Sequence, residues 1–285
     1  MKVYSEFDLT EYNSYKVRAI GKKVYFPESE EDLISLYKES TEYILLGSGH
    51  NVILCKDYYE KPIIIFNGNF NEIIWDGNVG LQLEAGVMMH DAAAEALNRS
   101  LKGLEIFYDI PSSLGGAVVM NAGASGEEIK DVLVKVRYLD LKDLQIKEIL
   151  KDDISFEYRN SFFQKNTDKI VLKAWLELSL SDKDAIKNKM ELIKEQRWAK
   201  QPKDFPNAGS VFKRPPGYYV GAIMDDLQLK GYKVGGAKIS EKHGGFIINF
   251  NNAKGEDIVR LINEVNEKVF EKYQFKLEVE QRVIE

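Results

Sequence analysis

Apolar and polar residues alternate over several short stretches in the first two thirds of the chain, a pattern typical of half-buried β-strands. The longest of these stretches run from Val132 to Leu141 and from Lys169 to Leu180. Shorter strands are predicted at residues 24–27, 43–46, 62–66, 81–85 and 246–250, with a last one near 275–279. The middle of the chain is therefore predicted to be a sheet with few helices.

Apolar residues at intervals of three and four predict helices between these strands. One helix is predicted after Ser29, where Ser-Glu-Glu-Asp resembles a capping box, and it extends to about Ser40. A second spans Met89 to Lys102 and stops at Gly103. Two longer helices are predicted at residues 182–200 and 255–273. The change in composition after residue 200 is the best domain boundary.

Composition narrows the possible partners and compartments. The chain is 44% hydrophobic and 29% charged, with a net charge of −6 and no cluster of Lys and Arg, so a nucleic acid or an anionic membrane is not an expected partner. Without an apolar signal segment or a run long enough for a membrane span, the protein is predicted to be cytoplasmic and not membrane-inserted. A single cysteine, Cys55, and three scattered histidines argue against a disulfide and against a metal site.

Small residues are concentrated between Asp109 and Gly126, where four glycines, three alanines and three serines surround a short apolar core. Such residues let the backbone approach a ligand closely, and rows of N–H groups in turns bind anions such as a pyrophosphate. The alternative is a tight strand packed beneath another backbone. The segment is therefore interpreted as one part of a cofactor site.

A second glycine loop, Gly-Ser-Gly-His-Asn at residues 47–51, directly follows a predicted strand. It does not fit a dinucleotide-binding βαβ motif, because Val52 replaces the third glycine and no helix opens after it. A phosphate-binding turn and an ordinary glycine turn remain equally supported for this loop alone. Together with Gly115 and Gly116, it predicts two loops that hold one pyrophosphate from two sides.

Three further segments carry groups with possible chemistry. Arg159 lies in an aromatic setting and can stack, bind a carboxylate, or form an ordinary internal salt bridge. Ser210 follows a glycine but lacks a nucleophile elbow, since residue 212 is Phe; it is either a proton donor to a strongly basic carbon or a turn serine. Glu278 and Glu280 share one face of the terminal segment, where surface charge is the alternative interpretation.

These segments together resemble the UDP-N-acetylenolpyruvoylglucosamine reductase family nearly end to end. The matching residues are Gly-Ser-Gly-His-Asn at 47–51, the run from Gly103 to Ala124, Tyr-Arg-Asn-Ser at 158–161, Asn-Ala-Gly-Ser-Val-Phe-Lys at 207–213, and residues 235–249. The short interval between Arg159 and Ser210 resembles the shorter subclass of the family. The resemblance implies an α+β fold, with a two-lobed FAD-binding region of the vanillyl-alcohol-oxidase-like type at residues 1–200 (lobes 1–75 and 76–200). A smaller α+β substrate domain at residues 201–285 completes the expected architecture.

The resemblance also implies the residues of the site. Non-covalent FAD is expected to contact Gly47, Ser48, Gly49, His50, Asn51, Pro111, Gly115, Gly116, Asn121 and Gly123. Arg159, Ser210 and Glu280 are expected to be catalytic, and Glu280 is preferred over Glu278 because it occupies the acidic position of the family's terminal Leu-Glu-Pro-Glu-Val pattern. Substrate-binding residues, chosen from position and charge, are Arg197, Gln201, Lys213, Arg214, Lys242 and His243.

The implied reaction is NADPH-dependent reduction of the enolpyruvyl group of UDP-N-acetylglucosamine enolpyruvate, giving UDP-N-acetylmuramate for peptidoglycan synthesis. Hydride would pass from NADPH to the flavin and then to substrate C3, while Arg159 and neutral Glu280 stabilise the enolate and Ser210 protonates C2. The chain is expected to act as a monomer.

Departures from the family pattern are His50, Arg214, Gln228 and Val279. Two alternatives stay open: an FAD-dependent oxidase of another small alcohol or sugar, and a non-catalytic nucleotide-sugar-binding protein.

Overall fold

A computed structural model describes residues 1–39 and 42–285. Within these residues the chain forms α-helices at seven places, besides four short 3-10 helices. The helices are α1 (Glu30–Lys38), α2 (Met89–Asn98), α3 (Leu114–Met120), α4 (Phe162–Lys165), α5 (Lys183–Lys200), α6 (Val220–Asp226) and α7 (Gly255–Tyr273).

The strands are mostly short. In the first half of the chain they are β1 (Lys2–Asp8), β2 (Ile20–Phe26), β3 (Ile44–Leu46), β4 (Val52–Leu54), β5 (Tyr58–Tyr59), β6 (Ile63–Ile65), β7 (Ile73–Asp76), β8 (Gly80–Glu84), β9 (Leu101–Lys102), β10 (Gly123–Ala124), β11 (Glu127–Glu128) and β12 (Leu133–Asp140). The remainder are β13 (Gln145–Leu150), β14 (Lys169–Glu177), β15 (Ser179–Leu180), β16 (Lys233–Val234), β17 (Ala237–Ile239), β18 (Ile247–Asn249) and β19 (Arg282–Ile284).

The described residues divide into two compact units. The first unit comprises Met1–Tyr4, Val24–Ser48 and Pro62–Glu195. Its largest sheet is antiparallel, with its strands in the order β13-β12-β14-β8-β7. The end of β2, β6 and β3 form a parallel arrangement in which β6 lies between β2 and β3. Helix α2 buries Met89, Ala92, Ala93 and Ala96 at helical spacing in the core of this unit, and α3 packs against β8 and β14 of the antiparallel sheet.

The second unit comprises Ser5–Lys23, Gly49–Lys61 and Gln196–Glu285. It contains the antiparallel sheet β16-β17-β18 and the parallel pair β4 and β19. Helix α7 buries an apolar stripe that includes Ile258, Leu261 and Val265, as its spacing predicts. Three separate parts of the chain therefore build this unit. A single boundary near residue 200 does not account for the two parts that come before it. The predicted division into domains stays a prediction.

Most predicted elements are confirmed, with two corrections. The predicted helix from Met89 to Lys102 is too long: α2 ends at Asn98, because Ser100 has a φ of +59° and the chain then enters β9. The predicted last strand near residues 275–279 is wrong as a regular strand, since only Val279 pairs there, and β19 begins at Arg282. The predicted end of the first helix near Ser40 lies outside the described residues, which resume at residue 42.

Within residues 1–39 and 42–285, no helix is both long and apolar enough to span a bilayer. The same residues contain no group of three or more His, Cys, Asp or Glu side chains arranged to hold a metal ion.

Candidate cofactor and catalytic site

Two loops of the first unit meet through their serines. The backbone N–H of Ser113 donates to Ser48 Oγ at 2.9 Å, and the N–H of Ser48 donates to Ser113 Oγ at 3.3 Å. A Cβ atom on Gly47 would lie 2.7 Å from Ser113 Oγ, so this close approach requires glycine. The structure thus brings together the end of β3 and the start of α3, the two loops that the sequence predicts at one pyrophosphate.

Part of these loops is held by internal hydrogen bonds, and part is left to meet an anion. The Gly115 N–H donates to Ala85 O at 2.9 Å, which fixes the turn against the end of β8. The buried Ser112 hydroxyl has no hydrogen-bond partner among the described residues. Neither residues 47–51 nor residues 111–116 contain an acidic side chain, so a phosphate group would meet hydroxyl and N–H dipoles without charge repulsion. Pro111 is exposed at the entrance to this turn, and Gly116 is half-buried within it. The chemistry of the two loops therefore fits an FAD pyrophosphate.

Asn121 closes α3 rather than pointing into open space. It has a φ of +45°, and its Nδ2 donates to Glu128 Oε2 at 2.9 Å and to Glu157 O at 3.0 Å. Asn121 Oδ1 is buried and lacks a partner within the described part of the chain. Asn121 thus anchors the turn that leads to Gly123.

Arg159 is held by the same turn. Its Nη2 donates to Gly123 O at 2.6 Å and its Nη1 to Asn121 O at 3.3 Å, with Glu128 Oε1 3.6 Å from Nη1. The guanidinium also lies 5.1 Å from the centre of the Tyr158 ring. Its side chain is only 17% exposed. Stacking on Tyr158 and an internal salt bridge to Glu128, two of the possibilities left open by the sequence, thus occur together at Arg159.

In the second unit, the loop Gly49–Asn51 continues the first glycine loop. Gly49 has a φ of +74°, and a Cβ there would lie 2.0 Å from Tyr12 O, so no other residue fits. Asn51 Nδ2 donates to Glu280 O at 3.1 Å, and the Arg282 N–H donates to Asn51 O at 2.9 Å. His50 is half-buried between them in the turn. This loop therefore holds the backbone of the proposed catalytic carboxylate.

Ser210 and Glu280 lie on paired segments of the second unit. The Glu280 N–H donates to Val211 O at 2.8 Å, and the Lys213 N–H donates to Glu278 O at 2.9 Å. Ser210 itself is exposed and pairs with Phe246. Two of the three predicted catalytic residues thus lie on neighbouring segments of one unit, whereas Arg159 belongs to the first unit.

The two glutamates of the terminal segment have different surroundings. Glu278 is 70% exposed at its side chain and pairs with Lys213 Nζ at 2.7 Å, while the Lys213 side chain is 13% exposed. Glu280 is half-buried. Glu278 therefore neutralises a predicted substrate-binding lysine, which leaves Glu280 as the glutamate of this segment that the predicted catalytic role requires.

The predicted substrate-binding residues all belong to the second unit. The Arg214 guanidinium lies 3.9 Å from the centre of the exposed Tyr219 ring, and Lys242 Nζ donates to Trp198 O at 2.7 Å. Arg197 and Gln201 follow one another at the end of α5, where the Gln201 N–H donates to Arg197 O at 2.8 Å.

His243 is tied to its own turn. Its Nδ1 accepts a hydrogen bond from the Gly245 N–H at 3.1 Å, and its ring packs edge-on against Phe246 with 4.8 Å between ring centres. Burial lowers the pKa of His243 below its ordinary value. Only Nε2 is left to face a ligand, because Nδ1 is already engaged.

Family models match most of the chain. A model of the UDP-N-acetylenolpyruvoylglucosamine reductase C-terminal domain matches residues 201–284, and a model of an FAD binding domain matches residues 22–148. A UDP-N-acetylenolpyruvoylglucosamine reductase from Francisella tularensis subsp. tularensis is 42% identical over 279 residues, covering 97% of this chain and 98% of the relative. The chain belongs to the UDP-N-acetylenolpyruvoylglucosamine reductase family.

Other relatives agree with this family. The UDP-N-acetylenolpyruvoylglucosamine reductase of Caldanaerobacter subterraneus subsp. tengcongensis is 38% identical over 99% of this chain and 94% of its own length. The crystal structure of the reductase from Thermus caldophilus superposes with a TM-score of 0.83 at 30% identity, covering 100% of this chain and 98% of that one. The resemblance, the α+β fold class and the FAD-binding domain are therefore confirmed, while the roles of individual site residues stay predictions.

Several residues that build the site of this reductase-family chain are not among those predicted from the sequence. Ser113 escapes notice because its partner, Ser48, is distant in sequence. Asn207 could have been predicted from its neighbours, because an Asn two residues before a glycine favours an Asx-turn. In the structure its Oδ1 accepts the Gly209 N–H at 3.1 Å. Gln281 and its partner Tyr15 carry no local signal, since 266 residues separate them.

Proposed function

We propose that this chain is an FAD-containing, NADPH-dependent reductase of the enolpyruvyl group of UDP-N-acetylglucosamine enolpyruvate, forming UDP-N-acetylmuramate for peptidoglycan synthesis. The observation that carries the proposal is the backbone pairing of Val211–Lys213 with Glu278–Glu280, which places the segment that begins with the exposed Ser210 beside the segment of the half-buried Glu280 within one unit. Those two groups are what the protonation of a carbon next to a developing enolate requires. Membership of the reductase family supports the choice of substrate.

The flavin would be held non-covalently by the two glycine loops. Gly47, Ser48, Gly115 and Gly116 would let the pyrophosphate come close to the backbone of the two loops and meet the Ser48 hydroxyl. The Ser48 and Gly115 N–H groups already donate to Ser113 Oγ and Ala85 O and are not counted as donors to the ligand. Pro111, Asn121 and Gly123 are the other flavin contacts proposed in the first unit, and Gly49, His50 and Asn51 are those proposed in the second. When bound, FAD accepts hydride from NADPH and passes it to the enolpyruvyl double bond.

Arg159 would stabilise the negative charge that develops on the substrate. Its hydrogen bonds to Asn121 O and Gly123 O fix the guanidinium before the substrate arrives, so little reorganisation is needed when the charge appears. Lysine would lack the planar fork that makes these two bonds at once.

Ser210 would donate a proton to substrate C2, and Glu280 in its neutral form would donate a hydrogen bond to the enolate. A serine hydroxyl serves as an acid here because the accepting carbon is far more basic in the transition state than in the ground state. The exposed position of Ser210 gives it access to a bound ligand.

The UDP-sugar would be bound by Arg197, Gln201, Lys213, Arg214, Lys242 and His243. These residues bring cationic and polar groups to the second unit, where Lys213 is already neutralised by Glu278 and Lys242 is held by Trp198 O. Arg214 and Lys242 are the members that suit a diphosphate best, because their guanidinium and ammonium groups have no carboxylate partner among the described residues.

Two half-reactions test the proposal. Purified protein is expected to be yellow with a flavin spectrum, to bleach with NADPH under anaerobic conditions, and to regain its colour when the enolpyruvyl nucleotide is added. A bound flavin that NADPH does not bleach contradicts the first half-reaction. Recolouring by oxygen with a simple alcohol or sugar as reductant indicates an oxidase instead, and colourless protein that binds only the nucleotide sugar indicates a non-catalytic binding protein.

The compartment and the oligomeric state of the protein are also inferred. We infer that it acts in the cytoplasm as a monomer. Light scattering coupled to gel filtration is expected to give the mass of one chain, 32.6 kDa.

A further inference from the structure

A buried amide side chain directly follows Glu280. Gln281 is 4% exposed, and its Nε2 lies 3.0 Å from Ala208 O, 3.3 Å from Gly209 O and 3.4 Å from Ser210 O. Its Oε1 accepts the hydroxyl of Tyr15 at 2.9 Å. One side chain therefore connects the turn that carries Ser210 with the strand that carries Glu280.

The orientation of this amide is fixed by its partners. Three carbonyl oxygens surround one end of the group, so that end must be the NH2, because an amide oxygen there would face only acceptors. The fully buried Tyr15 occupies the other end, and burial raises the pKa of its phenol, so it stays a neutral donor. Tyr15 thus holds the amide with its NH2 group turned toward the Ser210 turn.

The turn itself needs such a restraint. Gly209 has a φ of +80° and no side chain, and a Cβ there would meet no atom within 4 Å, so no neighbouring atom confines that side of the residue. Asn207 Oδ1 holds the Gly209 N–H, but the carbonyls of residues 208–210 face Gln281. On the other strand, the Asn51 amide and Val211 O fix the backbone of Glu280.

We propose that Gln281 is a positioning residue that sets the separation of the Ser210 hydroxyl and the Glu280 carboxyl group, with Tyr15 orienting it. The inference rests on the proposed function, in which Ser210 donates a proton and Glu280 stabilises the enolate. A proton transfer to carbon depends steeply on placement, and a misplacement of about 1 Å can cost about 10²-fold in rate. Gln281 acts through these residues and need not touch the substrate.

The test compares Gln281→Met, which keeps the length of the side chain and removes its hydrogen bonds, with Gln196→Met, a matched change at an exposed glutamine of α5. In the flavin-loaded protein, we expect Gln281→Met to slow reoxidation by the enolpyruvyl nucleotide by about 10²-fold, with an unchanged rate of flavin reduction by NADPH. Gln196→Met is expected to change neither rate. Equal slowing of both half-reactions by Gln281→Met would overturn the inference.

A double-mutant cycle separates positioning from general damage. In a Ser210→Ala background, Gln281→Met is expected to have little further effect, because the hydroxyl that it positions is gone. Fully additive effects would show that Gln281 does not act through Ser210. Tyr15→Phe removes only the orienting hydroxyl and is expected to give a smaller loss in the same half-reaction; it decides the question if Gln281→Met does not fold.

Hydrogen–deuterium exchange gives a readout that is independent of turnover. In Gln281→Met, peptides that cover residues 207–213 are expected to exchange faster, while peptides from α7 keep their protection. Unchanged exchange at 207–213 contradicts the proposed restraint. A wild-type protein that fails the NADPH and substrate cycle overturns the proposed function and the role of Gln281 with it, whereas a working cycle that Gln281→Met leaves intact overturns only the positioning role.

Discussion

A single hydroxyl provides the sharpest test at the scale of residues. Replacing Ser210 with Ala removes the proposed proton donor, and the loss of such a donor commonly costs about 10²–10⁴-fold in rate. We expect this loss in the reoxidation of the reduced protein by substrate, measured by stopped-flow absorbance, while reduction by NADPH proceeds at the wild-type rate.

The control is Ser5→Ala, which removes an exposed hydroxyl on β1. It is expected to behave as wild type in both half-reactions. Wild-type reoxidation in Ser210→Ala would rule out Ser210 as the donor.

His243 gives a prediction about protonation. Burial lowers its pKa below 6.5, and Nδ1 accepts the Gly245 N–H, so we expect a neutral ring with the proton on Nε2 at neutral pH. An NMR titration of the three histidines measures both properties. A His243 pKa above 6.5, or a proton on Nδ1, would contradict the geometry.

The same shift has a consequence for stability. The unfolded chain binds a proton at His243 more readily than the folded chain, so the contribution of His243 lowers the free energy of unfolding as the pH falls from 6.5 to the lower folded pKa. Replacing His243 with Gln is expected to remove that part of the pH dependence, as measured by urea unfolding across this window.

At the residue scale, the sequence was informative where chemistry and local geometry coincide. The glycine at 49, required by the approach of Tyr12 O, and the serine after Gly209 could both be picked out from their neighbours. Gln281 could not be picked out, because the sequence gives no reason to distinguish an amide in a charged terminal segment from an exposed polar residue. Only the fold buries it beside Tyr15.

At the scale of elements, the N-terminal cap of α1 gives a prediction about stability. Ser29 Oγ accepts the Asp32 N–H at 3.2 Å, so Ser29→Ala is expected to lower the free energy of unfolding by about 1 kcal/mol. Ser35→Ala, an exposed serine within the same helix, is expected to be neutral or slightly stabilising because Ala has the higher helix propensity. Equal effects of the two changes in urea unfolding would mean that the cap contributes nothing.

Long elements with a clear period could be predicted, and short ones could not. Helix α7 follows its apolar stripe from Gly255 to Tyr273, and β12 and β14 lie within their predicted ranges. Helix α3 was not predicted, because its Leu-Gly-Gly start has poor helix propensity and its burial against the sheet is a tertiary effect. The pairing of β4 with β19 was also not predicted, since it joins segments separated by most of the chain.

At the scale of the whole molecule, removal of the flavin is the decisive perturbation. A ligand that binds only the folded state stabilises it by mass action, by about 2.7 kcal/mol when free FAD is 100 times its dissociation constant. The deflavinated protein is therefore expected to unfold at a lower temperature, and added FAD is expected to restore the midpoint. Riboflavin, which lacks the pyrophosphate, is the control; equal rescue by riboflavin would contradict binding through the two glycine loops.

The sequence by itself determined the family, the α+β class and the FAD-binding domain, because long motifs with small residues and periodic apolar patterns are local properties that survive without coordinates. Only the tertiary structure decided that Ser48 and Ser113 exchange hydrogen bonds, that the turn after Ala122 holds Arg159, and that Gln281 joins the Ser210 turn to Glu280. Each of these contacts links residues far apart in the chain. Burying an unpaired polar group costs free energy, so such groups pair in the folded protein, but the sequence does not show which partners the fold brings together.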